Sequence, residues 1–298
     1  MHRLRDVDAE VDGDQGLVLG GAASVLHRHP RLRLAGLLSA PLLWLGVVYL
    51  GSLAALFITS LWTQDAFTGE VFRQWTLENF RELLTVPAYR SIVLRTIGIA
   101  AAVTLIDLAL ALPIAYYMAK VASPRTAKLL VVAVLMPLWA SYLVKGYAWR
   151  SMFAQGGVLD STFGVTPGFG IVAVVATLAY LWLPFMILPI YTGLERLPNG
   201  LLEASGDLGA KPGRTFRSVV WPLLLPSVIA GSIFTFSLSL GDYITVKVVG
   251  GPSQMLGNVV YDNQQLDLPL AAAMATFSVA IMVIYMSGVR HTGALDSL

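Results

Sequence analysis

The 298-residue chain has no cysteine and little charge: Asp, Glu, Lys and Arg together make up 13% of it. Without thiols there can be no disulfide framework and no thiolate metal site. Soluble domains carry about 25% charged residues, so this composition excludes an ordinary water-solvated surface. Histidine is almost as scarce. His2, His27 and His29 lie near the start and His291 near the end, so no imidazole falls within an apolar run to hold a metal there. A formal net charge of +2 gives no electrostatic footing for nucleic acid. No Gly-x-x-x-x-Gly-Lys-Ser/Thr pattern occurs, and the chain therefore has no P-loop of its own. A membrane enzyme would need a catalytic constellation, and neither histidine, cysteine nor a carboxylate cluster supplies one.

What is present is hydrophobic length. Hydrophobic residues make up 56% of the chain and mean hydropathy is +0.70. A membrane span needs about 20 apolar residues, and six runs qualify: 35–62, 96–118, 129–153, 171–194, 223–246 and 270–288. The expected fold is all-α, a polytopic membrane bundle of six transmembrane helices. Prolines inside several runs (Pro113, Pro137, Pro184, Pro189, Pro226) fit kinked helices packed in a bundle, where neighbours satisfy the freed carbonyls. With the N-terminus in the cytoplasm, 13 Lys and Arg fall on inside segments and 6 on outside ones, Arg95 standing at a boundary. That bias predicts both termini inside. The resulting division is a cytoplasmic tail at 1–33, a transmembrane domain at 34–290 with a cytoplasmic loop at 195–221, and a cytoplasmic tail at 291–298. No internal repeat is visible.

Between the spans, residues 76–84 place Leu77, Phe80, Leu83 and Leu84 at helical spacing, which predicts an interfacial helix outside the membrane. The stretches 156–170 and 250–269 read as external loops. The most informative polar stretch is 203–226, expected on the cytoplasmic side. Asn199 is placed to cap a helix that carries Glu203 and Asp207 on one face. Like charges four residues apart are mildly destabilising, so an external cation or solvent must compensate them. Lys211-Pro212-Gly213 stops that helix. Residues 214–220 resume it, and Pro222 and Pro226 set the start of the fifth span.

Glu203-Ala204-Ser205, Gly209 six positions after Glu203, and Val219-Val220-Trp221-Pro222 together resemble the EAA signature of permease subunits of binding-protein-dependent ABC importers. The spacing is kept; Ser205 stands for the second Ala, Val219 for Ile and Trp221 for Leu. Further segments resemble the narrower polyamine (spermidine/putrescine)-type permeases, and specifically their first permease subunit. They are Trp75-Thr76-Leu77-Glu78-Asn79-Phe80, Leu112-Pro113-Ile114-Ala115-Tyr116-Tyr117-Met118-Ala119, the run from Trp139 to Trp149, and Ser239-Leu240-Gly241-Asp242-Tyr243-Ile244-Thr245 followed by Gly250-Gly251-Pro252. Together they cover most of residues 75–265.

The resemblance implies a type I ABC importer permease (MetI-like) fold in a bacterial plasma (inner) membrane. It implies a coupling helix that docks on an ATP-binding subunit, with Glu203 and Gly209 carrying that role within the set Glu203, Ala204, Asp207, Gly209 and Pro222. It also implies partners: a second permease subunit in a heterodimer, two copies of the ATP-binding subunit holding ATP and Mg, and an extracytoplasmic substrate-binding protein. The chain itself, surrounded by membrane lipid, binds no cofactor or metal and has no catalytic residue. Transport would follow alternating access.

Ionisable residues inside a span are costly and must face protein or water. Asp107, mid-span, reads either as part of a path for a cationic substrate or as a structural partner of another group. Asp242, near the outer end of the fifth span, reads as a path or gate residue. Tyr142, Trp149, Tyr243 and Trp182 could stack on a cation. Lys145 and Arg150 read as snorkelling to the interface. They would repel a polyamine, so another amine, an amino-acid-like solute or an anion stays open as cargo. A secondary transporter is the remaining alternative and would call for inverted repeats.

Overall fold

The structure, a computed structural model, describes residues 30–65 and 67–290. The expected tails at 1–33 and 291–298, with all four histidines, lie wholly or almost wholly outside these residues. The chain divides into two units, the first ending at Ile58. That first unit is helical: α1 (Pro30–Trp44), a π turn (Leu45–Leu50) and the start of α2 (Gly51–Ser60). Residues Gly36–Ser60 are long and apolar enough to span a membrane, with exposed apolar side chains such as Leu42, Val47 and Phe57.

In the second unit, a short antiparallel hairpin pairs β1 (Thr63–Gln64) with β2 (Val71–Phe72). Its turn is held by Asp65, whose Oδ1 accepts from the amides of Phe67 and Thr68 at 2.8 Å each. Those amides, Thr68 foremost, keep the Asp65 carboxyl below the usual range. Then come α3 (Glu78–Thr85), α4 (Pro87–Tyr116), α5 (Pro124–Trp139), α6 (Tyr142–Phe153), α7 (Val158–Phe163), α8 (Ile171–Arg196), α9 (Asn199–Asp207), α10 (Pro212–Thr215), α11 (Trp221–Leu240), α12 (Ile244–Val249), α13 (Leu256–Asn263) and α14 (Leu268–Arg290).

The core is the packing of α4, α8 and α11. Val103, Leu178, Leu181 and Val246 belong to one buried cluster, and Ala111, Met186, Ile190 and Leu224 to another. These helices approach closely. A Cβ on Gly231 would lie 2.7 Å from Met186 Sδ and 3.2 Å from Met186 Cα. Small residues that let backbones meet are the usual means of tight helix packing in lipid. α14 closes the bundle through the Phe236–Tyr285 ring stack, 4.4 Å between centroids, and the Tyr285 hydroxyl donating to Ser232 Oγ at 2.8 Å.

Several expectations are corrected. Among the described residues, five helical segments are long and apolar enough to cross a membrane, and six if α5 and the α6–α7 segment, bent by 93°, count as one span. The run 129–153, expected as one kinked span, is therefore two helices meeting at Ala140–Ser141. Pro137, three residues before Ala140, removes a backbone donor and weakens the helix before the break. The expected run 223–246 is also interrupted, since α11 ends at Leu240 and Asp242 and Tyr243 lie in a non-helical gap before α12. At its other end the span starts earlier than expected, because helix runs unbroken over Pro212–Leu240 through a π turn (Phe216–Val220). Pro212 opens this helix at its first turn, where its missing N–H costs nothing. α3 is not a purely interfacial helix, for it buries Leu83 in the core and Asn79 on the carbonyls of Ser60 and Trp62, while Leu84, and Leu77 just before it, stay exposed. The stretch 250–269 contains α13 and is not a plain loop.

Alanine at Gly231 should destabilise the bundle by about 1–3 kcal/mol through overpacking. Alanine at Gly98, which has nothing within 4 Å of its added Cβ, should be neutral. Thermal loss of monodispersity in detergent checks the contrast.

Candidate functional site

Two regions concentrate the polar side chains, one at each end of the long helix Pro212–Leu240. The first is α9. Its last turn closes on Gly209, whose φ is +77°, while Leu208 N donates to Ala204 O and Ala210 N to Ser205 O. Glycine takes this left-handed position without a Cβ clash. Glu203, Ala204 and Asp207 are exposed on α9, and Gly209 and Pro222 are exposed as well. Asn199 does not cap the helix as expected. Pro198 holds the cap position, and the Asn199 side chain instead accepts from Lys120 Nζ at 3.0 Å.

Lys120 also donates to Leu197 O at 2.7 Å, the carbonyl left free where α8 ends. At the other end of α9, Ser205 Oγ meets Thr215 Oγ1 at 2.9 Å. The acidic helix is thus fastened to the end of the second span by Lys120 and to the start of the fifth by Ser205. Beside it lies a cavity of about 600 Å³, walled by Leu112, Pro113 and Tyr116 and by Leu202, Gly206 and Phe216. Lys120 was not picked out from the sequence, because a lysine at the end of an apolar run reads as an orientation marker.

The second region lies at the far end, where the gap between α11 and α12 meets the bend before α6. Asp242, 7% exposed, accepts from Thr245 N at 2.8 Å through Oδ1 and from the Tyr142 hydroxyl through Oδ2. With its proton committed to Asp242, the Tyr142 oxygen accepts from Thr245 Oγ1 at 2.6 Å. Asp242 therefore binds an amide in the first turn of α12 from just before Tyr243, which holds the cap position. Tyr142 stacks on Trp182, with centroids 5.8 Å apart. Around them is a cavity of about 230 Å³ lined by Tyr142, Trp182, Leu238, Asp242, Tyr243 and Ile244. Among the described residues the ion pairs are Arg81–Glu78 and Lys247–Asp262, so no basic side chain neutralises Asp242. The indole N–H of Trp182 is buried without a hydrogen-bond partner.

Of the five residues expected along a substrate path, the structure brings together Tyr142, Asp242 and Tyr243. Trp149 lies apart, packed on Phe153 and Tyr180. Asp107 is fully buried, with both carboxylate oxygens lacking a hydrogen-bond partner, and it does not line this cavity. Arg150 does not snorkel freely: it donates to Val248 O and lies 4.6 Å from the centroid of the Phe169 ring, tying α6 to α12. Gly257 is a further positioning residue, since a Cβ there would lie 2.6 Å from Asp242 O.

The second unit is thus a bundle of membrane-length helices, with a break after Leu240 at one end of Pro212–Leu240 and a fastened acidic helix at the other. Residues 100–296 match the family described as binding-protein-dependent transport system inner membrane component, and the chain belongs to that family. It is 42% identical over 301 residues to the inner membrane ABC transporter permease protein YdcU of Escherichia coli K12, covering 94% of this chain and 96% of that one. It is 34% identical over 213 residues to the spermidine/putrescine transport system permease protein PotB of Escherichia coli K12, covering 68% and 76%. A bacterial ABC transporter involved in import of the acidic polysaccharide alginate superposes with a TM-score of 0.68 at 14% identity, covering 91% and 97%. The fold is that of a type I ABC importer permease, and the chain is a multi-pass inner-membrane subunit of such a transporter.

Replacing Tyr142 by Phe removes the hydroxyl that Asp242 and Thr245 share. It should lower stability by about 1–3 kcal/mol, the usual cost of stranding buried polar groups. The exposed Tyr147→Phe should be silent in the same thermal assay.

Proposed function

We propose that this chain is one permease subunit of an ATP-driven importer of polyamines or closely related small amines. The observation that carries the cargo class is the Asp242 cavity, a buried carboxylate walled by Tyr142, Trp182 and Tyr243 with no basic side chain to neutralise it. Burying a carboxylate without a cation is costly. An ammonium group supplies the missing charge, and aromatic faces add cation–π attraction. The likeness to permeases named for spermidine and putrescine transport supports the same class. Asp107, deeper between the helices, comes into the path if the bundle parts there. An anionic or amino-acid-like cargo is favoured by Lys145 and Arg150, but the Arg150 guanidinium is already engaged by Val248 O and Phe169.

Energy would enter through α9. With no P-loop in this chain, two copies of a partner ATP-binding subunit would hold ATP and Mg. Glu203, Ala204, Asp207, Gly209 and Pro222 would form the surface on which one copy docks, and a second, different permease subunit would complete the pathway. An extracytoplasmic binding protein would deliver cargo to the opposite end. In this arrangement the coupling loop 195–221 and the tails 1–33 and 291–298 are cytoplasmic, flanking the transmembrane domain 34–290.

Uptake of labelled spermidine and putrescine into vesicles carrying the whole transporter tests the cargo. Asp242→Asn should cut uptake about tenfold or more, the effect of losing roughly 1.4 kcal/mol of binding. If neither Asp242→Asn nor Asp107→Asn changes uptake, the cationic path is wrong. Glu203→Arg should abolish cargo-stimulated ATP hydrolysis, and intact coupling and assembly in that variant would refute the docking role.

A further inference from the structure

Beside the Asp242 cavity the protein holds a cation of its own. Lys247 on α12 places Nζ 2.6 Å from Oδ1 of Asp262 on α13 and 3.9 Å from the centroid of the Tyr261 ring. That ring lies flat on Tyr243, with centroids 4.8 Å apart and planes at 11°. Tyr243 in turn lines the Asp242 cavity. A carboxylate and a tyrosine face gathered on one ammonium, backed by a second stacked ring, is the chemistry that recognises alkylammonium ions.

We propose that Tyr243, Tyr261 and Asp262 form an outer binding site for a cargo ammonium group, and that Lys247 fills this site as a tethered competitor. The inference rests on the amine reading of the Asp242 cavity. Both members of the Lys247–Asp262 pair are partly exposed, at 37% and 48% of their side chains. Exposed ion pairs are weak and exchange readily, so an arriving primary ammonium can replace Lys247 on the same two partners. The displaced Lys247 head remains near water, where an ammonium is well solvated. The shared wall, Tyr243, sets the exchanged cation next to the second acid, Asp242. Tethering would also set a threshold: an anion or a neutral solute gains nothing from displacing Lys247, whereas an amine makes the same contacts that it breaks.

A structural brace and a tethered competitor predict opposite results. If the pair merely braces α12 on α13, removing either partner weakens amine binding. If Lys247 competes with cargo, removing it strengthens binding and removing Asp262 weakens it. The test is equilibrium binding of radiolabelled spermidine to the assembled transporter in lipid nanodiscs, without the external binding protein. Lys247→Met and Lys247→Gln should each tighten binding about fivefold, the factor that a weak exposed pair can contribute. Lys247→Arg should resemble the unaltered protein, Asp262→Asn should bind more weakly, and Lys247→Met with Asp262→Asn should lose the gain. If the unaltered transporter binds spermidine but Lys247→Met leaves binding unchanged or weakened, the tethered competitor is refuted while the amine reading stands. If the unaltered protein and every variant fail both to bind and to transport spermidine and putrescine, the amine reading falls and this inference falls with it.

Discussion

The hydrogen bond from Tyr142 to Asp242 joins the two places where membrane-depth helix is interrupted. In lipid every backbone N–H and C=O must find a partner within the protein, and irregular backbone survives only where protein or water surrounds it. At the bend at Ala140–Ser141 and the gap at Gly241–Tyr243 the backbone finds local partners, Ala140 N on Pro137 O, Lys145 N on Ser141 O, Gly241 N on Ser237 O and Asp242 N on Ser239 O. Side chains then join the two breaks. Asp242 receives the Thr245 amide and the Tyr142 hydroxyl, and α13 lays Gly257 directly against the carbonyls of Gly241 and Asp242. The start of α13 is itself held by Thr96 Oγ1, which accepts from Leu256 N at 2.9 Å, and by Asn258, whose side chain accepts from Met255 N. Residues of α6, α12 and α13 thus pack around one irregular point, beside the cavity.

This arrangement explains what could and could not be read from residues alone. Apolar length is a property of a segment by itself, so the runs beginning near 35, 96, 171 and 270 correspond to helices. The acidic helix itself was legible for the same reason, but its end was not: Lys211-Pro212-Gly213 reads as the stop, whereas the helix closes earlier, on Gly209 at φ +77°, and Pro212 opens the next helix. The two breaks were not legible, because Tyr142-Leu143-Val144 and Ile244-Thr245-Val246 are as apolar and as helix-compatible as the residues before them. Only the partner across the bundle decides that the chain turns there. Asn199 failed for a related reason: its capping competence is real, but a lysine 79 positions earlier claims its oxygen. Tyr261 and Asp262 read as loop residues until α13 places them against Lys247.

The helix Pro212–Leu240 connects the two polar regions. Twenty-nine residues at 1.5 Å each span roughly 40 Å, with Thr215 bonded to α9 at one end and the Asp242 gap at the other. Such a rod transmits displacement well only if it is stiff. Its π turn at Phe216–Val220 lies at the α9 end, outside the close-packed stretch where Gly231 meets Met186. A bend at its Phe216 end would let α9 swing while Val220, buried in the same cluster as Met186, stays with the interior, which moves as a body. In the proposed cycle, force applied at Glu203 would therefore reach Asp242 as a tilt or shift of the whole α8–α11 pair. The point to receive it is the break between α11 and α12, beside which Lys247 and Asp262 pair at 37% and 48% side-chain exposure and Tyr243 stacks on Tyr261.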